Sequence, residues 1–157
     1  MARRGVRASP PPRRGRALST AATSVAAPRP ASGKVLDASA LAAFATGSIG
    51  FGTWLAIASE LSLTLLIPAA ARTEALLAHP DAVDLIDVLM SDTLTVVVPA
   101  PAPEVVAQAQ RRHRETGLFD PLAIWVGELC RVRAWSALSS DPDRLRRVAP
   151  ELHVHPL

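Results

Sequence analysis

The chain has 157 residues, 49% of them hydrophobic, which is one domain's length with enough apolar content to bury a core. Its formal charge of +3 suggests a nucleic-acid or membrane binder, but residues 1–34 hold seven Arg and Lys34 and no acid, while the remainder carries nine basic and 14 acidic residues, a formal charge of −5. The basicity belongs to one end, and the single Cys130 excludes an intramolecular disulfide and a thiolate zinc cluster.

Residues 1–33, rich in Arg, Pro and Ala and without an apolar period, cannot bury enough surface to offset their ordering entropy and are expected to be disordered. A nucleic-acid-binding arm, a twin-arginine export signal around Arg13–Arg14 and an acid-poor transit-like peptide are competing readings of this tail. The export reading lacks a clean apolar segment before Pro28 and Pro30. An extension from an upstream start codon needs the fewest assumptions, and no function is rested on the tail. Sixteen of the 17 basic residues are Arg, a bias associated with GC-rich bacterial genomes. With one cysteine and no export segment, the expected location is the cytoplasm.

The domain proper is expected over residues 34–157. Lys34–Asp37 reads as a first strand, Ser39–Ala45 as a short helix and, beyond the glycine-rich GSIGFG, Thr53–Leu61 as another. The uncharged run from Ala38 to Ser59 is long enough to span a bilayer, but its glycines favour a soluble loop, and no membrane association is expected. Thr64–Ile67 is a second strand closed by Pro68. A helix follows through Glu74 as far as His79, where Pro80 disfavours its continuation.

Asp81–Met90 carries Ala82, Leu85, Ile86 and Leu89 on one helical face. Leu94–Val98 is a β-branched third strand. Glu104–Arg114 is a helix bearing Arg111, Arg112 and Arg114, and Pro121–Arg133 repeats an amphipathic period through Leu122, Trp125, Val126 and Leu129. Trp135–Leu138 is a fourth strand, Pro142–Val148 a short helix and Leu152–His155 a fifth strand. Strands interleaved with helices predict a parallel sheet of four to five strands, covered on both faces. Trp54, Trp125 and Trp135 fall in apolar periods and are expected in the core, as is Cys130.

Four carboxylates stand near the ends of apolar runs: Asp37, Glu74, Asp120 and Asp141. Asp37, Asp120 (followed by Pro121) and Asp141 each admit a helix-capping role, whereas Glu74 lies inside an apolar stretch that gives a charge no structural reason. In an open α/β sheet ligand chemistry collects at the carboxyl edge, and four acids gathered there repel one another unless a divalent cation joins them.

These residues carry a resemblance to a known family. The segments LDASAL, IPAAARTEA, the mid-chain Asp120 opening a long helix, and SSDPDRL, in this order, make residues 34–157 similar to PIN-domain nucleases of the VapC-like type. The resemblance implies a three-layer α/β/α PIN-like fold and Mg²⁺- or Mn²⁺-dependent hydrolysis of RNA phosphodiester bonds. It also implies the toxin half of a toxin–antitoxin pair, with an antitoxin protein as partner and a homodimer as a common assembly. Asp37, Asp120 and Asp141 would hold one or two ions, and Glu74 would hold or help deprotonate the attacking water. Asp143 competes with Asp141 in the same turn, although Asp141 is nearer the strand end. Ser39 and Ser139 read either as hydroxyls orienting the ligands or, in preference, as ordinary caps. Arg111, Arg112 and Arg114 either grip phosphates or form a solvated face.

Rival chemistries fit less well. No Lys-Ser/Thr follows the GSIGFG glycines, so a phosphate-binding loop of the nucleotide type is excluded. A haloacid-dehalogenase-type phosphatase needs an Asp at the position of Ser39, and a response-regulator receiver needs a late Lys where none follows Lys34. His153 and His155 read as the alternating edge of a last strand. The alternative from another class is a catalytically inactive PIN-like module that binds RNA or a partner.

Overall fold

The computed structural model describes residues 32–157. The disorder expected over residues 1–33 falls almost wholly outside the described residues, and Gly33 opens the first strand. The elements are β1 (Gly33–Leu36), α1 (Ala38–Ala45), α2 (Ile49–Leu61), β2 (Thr64–Pro68), α3 (Ala69–Ala78), a 3₁₀ turn (Pro80–Ala82), α4 (Val83–Met90), β3 (Thr95–Val98), α5 (Pro103–Thr116), α6 (Pro121–Arg133), β4 (Ser136–Ser139), α7 (Pro142–Val148) and β5 (Val154–Pro156). The strands form one all-parallel sheet in the order β3-β2-β1-β4-β5. The expected α/β architecture, a five-stranded sheet between two helical layers, is observed.

Parallel strands covered on both faces have no solvent side, which is why they read as unbroken apolar runs. Val35, Leu36, Leu65, Leu66, Ile67, Ala137 and Leu138 are all buried. Right-handed crossovers then dictate the layers. The chain steps from β1 to β2 to β3 in one direction, and α1 packs on α3 and α4. It returns to β4 and β5 in the other direction, and α6 packs on α5 and α7. The reversal falls between β1 and β4, and the crevice at their carboxyl ends is the topological switch point of the sheet.

Several local expectations change. The second helix begins at Ile49 and not at Thr53, so Gly50 and Gly52 are helical. Ser48 caps it, and Phe51 is buried with its ring 5.1 Å from that of Phe44, so packing outweighs the glycine propensity. Gly50 suits this place because an added Cβ would come within 3.0 Å of the Leu157 backbone. The segment from Ala38 to Leu61 folds as two helices bent by 104°, and no single helix among the described residues is long and apolar enough to cross a membrane. Leu85 leaves the predicted core face of α4, where Ile86 and Leu89 remain buried. Helix α6 ends on Ala134 at φ +54°, a left-handed cap made without the usual glycine.

Trp125 and Cys130 are buried as expected, and burial pushes the Cys130 thiol up to about 12, well outside the range of a nucleophile. Trp54 and Trp135 are half-buried against the core, with Lys34 over the Trp54 ring and Arg133 over the Trp135 ring. The His153 and His155 rings pack edge-on with centroids 4.5 Å apart.

Candidate functional site

Asp37 is the first residue after β1, and Ser139 is the last residue of β4. Their strands pair through Val35–Ala137 and Leu36–Leu138, so the next step of the ladder brings the two side chains together. The Ser139 hydroxyl donates to Asp37 Oδ2 at 2.7 Å, while Ser39 Oγ and the Ala40 N–H each donate to Oδ1 at 2.8 Å. Asp37 is 1% exposed, which makes it a fully enclosed carboxylate at the edge of the sheet. Burial raises its pKa; the bonds from Ser139, Ala40 and Ser39 and the charge of Arg144 oppose the rise without cancelling it.

Each serine hydroxyl has one proton, and both protons go to Asp37, so the 3.0 Å Ser39–Ser139 contact is a consequence of the two bonds and adds no third. The hydroxyl oxygens are left to accept. Ser39 Oγ takes the N–H groups of Ser140 (2.9 Å) and Asp141 (3.2 Å), and Ser139 Oγ takes that of Asp141 (3.0 Å). The expected capping role of Ser39 and Ser139 is therefore corrected: neither caps a helix. Together they fasten the turn before α7 onto Asp37.

The capping itself is done by acids. Asp37 caps α1, Asp120 caps α6 through the Ala123 N–H at 3.0 Å, and Asp141 caps α7 through the Arg144 N–H at 3.2 Å. Three helices thus point their partially positive amino ends at one edge, which favours negative charge there. Asp141 is exposed at this edge. Asp143 is 82% exposed and pairs only loosely with Arg146, at 3.4 Å, while Asp141 is tied by its backbone to both serines. Glu74 caps nothing. It lies in the second turn of α3, between the buried Ala71 and Ala75 that let α3 approach α1 closely.

Arg144 joins the acids, and sequence reasoning missed it. From the first turns of α7 its Nε donates to Asp120 Oδ2 at 2.7 Å and its Nη2 to Asp120 Oδ1 at 2.9 Å, a side-on fork. Its Nη2 also reaches Glu74 Oε2 at 3.1 Å, and its Nη1 bonds Glu74 Oε1. Burial alone would raise the Asp120 pKa, but the Arg144 bond, the Ala123 N–H and the charges of Arg144 and Arg147 together bring it below the ordinary carboxylate value. The only signal in the sequence was the Arg inside SSDPDRL, three residues after Asp141.

The donor set of this edge is all hard oxygen, as a divalent cation of the Mg²⁺ type requires. A cation already stands among the acids: the guanidinium bonds Glu74 and Asp120 and acts electrostatically on Asp37. The donor chemistry suits such a cation, but among the described residues no three acidic, His or Cys side chains converge closely enough to hold a metal as they stand. The edge is open. A separate cavity of about 350 Å³, bounded in part by Arg112, Cys130, Trp135 and His153, contains none of the four acids.

Of the three arginines on α5, Arg111 and Arg114 are exposed. Arg112 is half-buried and spends a donor on the Val148 carbonyl, which fastens α5 to the end of α7. The sequence matches no family model and no curated protein.

Proposed function

We propose that the domain is a divalent-cation-dependent endoribonuclease of the PIN type, with Asp37, Glu74, Asp120 and Asp141 as its active edge. The observation that carries this reading is the gathering of Glu74 and Asp120 on the Arg144 guanidinium beside Asp37, at the switch point of a parallel sheet.

Asp37, Asp120 and Asp141 would hold Mg²⁺ or Mn²⁺, which when bound supplies charge neutralisation at the scissile phosphate and activation of water. The protein's own share is orientation. Ser39 and Ser139 fix both oxygens of Asp37, and the same hydroxyls set the position of Asp141 through its N–H. Glu74, with 41% of its side chain exposed, would hold the attacking water or help deprotonate it. The exposed Arg111 and Arg114 offer charges for the RNA backbone, and the acidic body leaves the cation as the main attraction at the edge. In this reading the protein is a cytoplasmic toxin restrained by an antitoxin and able to pair with a second copy.

One observation favours the second reading, a PIN-like module that binds RNA or a partner without cutting: Arg144 already neutralises Glu74 and Asp120. Incubating RNA with the full chain in Mg²⁺ or Mn²⁺, beside the Asp37→Asn variant, separates the two. Cleavage by the wild type alone is expected; equal cleavage by both, or none by either, refutes the nuclease assignment.

A further inference from the structure

Arg144 is the most heavily bonded charged side chain at the acidic edge. Four of its five N–H donors are engaged, two on Asp120 and two on Glu74. The Arg144 side chain is 22% exposed and that of Asp120 24%, so water competes only partly for these bonds. Both carboxylates belong to the set proposed to serve the cation. A carboxylate held side-on by a planar fork commits its two inward lone pairs to the guanidinium, so a metal must displace the fork or settle for the outward pairs.

We infer that Arg144 is a built-in competitor of the divalent cation, holding Glu74 and Asp120 in the metal-free protein and leaving them when the cation binds. This inference rests on the metal-dependent reading above. The device has two parts. The first is a lock: without a cation, the guanidinium relieves the repulsion between Glu74 and Asp120, so the edge is preformed. The second is a hinge: Arg144 hangs from α7 by a flexible stem whose Cα is fixed by the Asp141 cap, so the head can leave without moving the helix. The cation concentration at which the edge fills is set by Arg144 as well as by the acids.

Calorimetric titration of Mn²⁺ into the full, metal-stripped chain tests this directly. Arg144→Gln should bind Mn²⁺ at least roughly tenfold more tightly than the wild type, about 1.4 kcal/mol. Arg144→Lys should fall between them, because an ammonium keeps the charge but cannot fork. Equal or weaker binding by Arg144→Gln would overturn the inference, since it would make Arg144 a scaffold of the metal site. No Mn²⁺ binding by any of the three proteins would instead overturn the metal-dependent reading beneath it.

A second measurement needs only the wild type for its result. The Arg144 Nε–H resonance, assigned by its absence in Arg144→Lys, should be protected from solvent exchange without metal and lose that protection in Mg²⁺. Protection retained at saturating Mg²⁺ overturns the inference even if the glutamine variant fails to fold.

Discussion

Replacing Asp37 by Asn should stabilise the metal-free protein at neutral pH while removing its proposed activity. Asp37 is enclosed, and burial holds its pKa above the unfolded value of 3.8, so the folded state binds the proton more tightly than the unfolded state does. Stability from this group is therefore greatest below pH 3.8 and declines as pH rises through the folded pKa, where the buried charge forms. An Asn carries no charge and keeps the shape. Its Oδ1 still accepts from Ala40 N–H and Ser39 Oγ, and its amide can donate to Ser139 Oγ, reversing the third bond. Bonds to a charged acceptor are stronger by about 1 kcal/mol each than neutral ones, which offsets part of the desolvation relief. The net gain is expected near 1 kcal/mol, a rise of roughly 3–5 °C in Tm for a domain of this size. Thermal unfolding in EDTA at pH 7 and at pH 3.5 measures it, with the difference shrinking toward zero at the lower pH. A variant that is less stable than the wild type at pH 7 would refute the reasoning, because it would mean that the bonds to the carboxylate outweigh its burial.

Other substitutions follow from the same geometry. Ala134→Gly should raise stability by about 0.5–1 kcal/mol, since the αL cap at φ +54° strains a residue with a Cβ; chemical denaturation with an unchanged or lower midpoint would contradict this. Gly33→Ala should cost more than about 2 kcal/mol or prevent folding, because its Cβ would lie 2.3 Å from the Thr64 carbonyl oxygen and 2.6 Å from the Trp135 ring; soluble expression and a near-wild-type Tm would refute it. Cys130 should resist an aromatic disulfide reagent at pH 8 in the folded protein and react within minutes in denaturant; prompt reaction without denaturant would show an accessible thiol.

The strands were legible because a sheet covered on both faces demands continuous apolar runs, and VVV, LLI and VL supply them. Asp37, Asp120 and Asp141 were legible as helix-opening acids because capping leaves a local signature, with Pro following two of them. The linkage of Ser39 and Ser139 to Asp37 was not legible, because it depends on β1 lying beside β4, a pairing between segments about a hundred residues apart. Arg144 was hidden for the same reason: a guanidinium in a short helix rich in charge, beside Asp143, Arg146 and Arg147, reads as surface until Glu74 and Asp120 are brought to it. The GSIGFG run misled in the opposite sense, since its glycines speak against a helix that Ser48 and Phe51 nevertheless impose.

The bond from Ser139 to Asp37 also bears on synthesis. The buried acid near the start of the domain stays incomplete until a residue 102 positions later has been made and placed in the sheet. On a translating ribosome, the edge is assembled only when nearly the whole domain has emerged. A prematurely ended chain lacking β4 would carry Asp37 and Glu74 but neither the hydroxyl that holds the first nor the arginine that holds the second. Such fragments would be inert by construction, a useful property for a protein whose complete form is proposed to cut RNA.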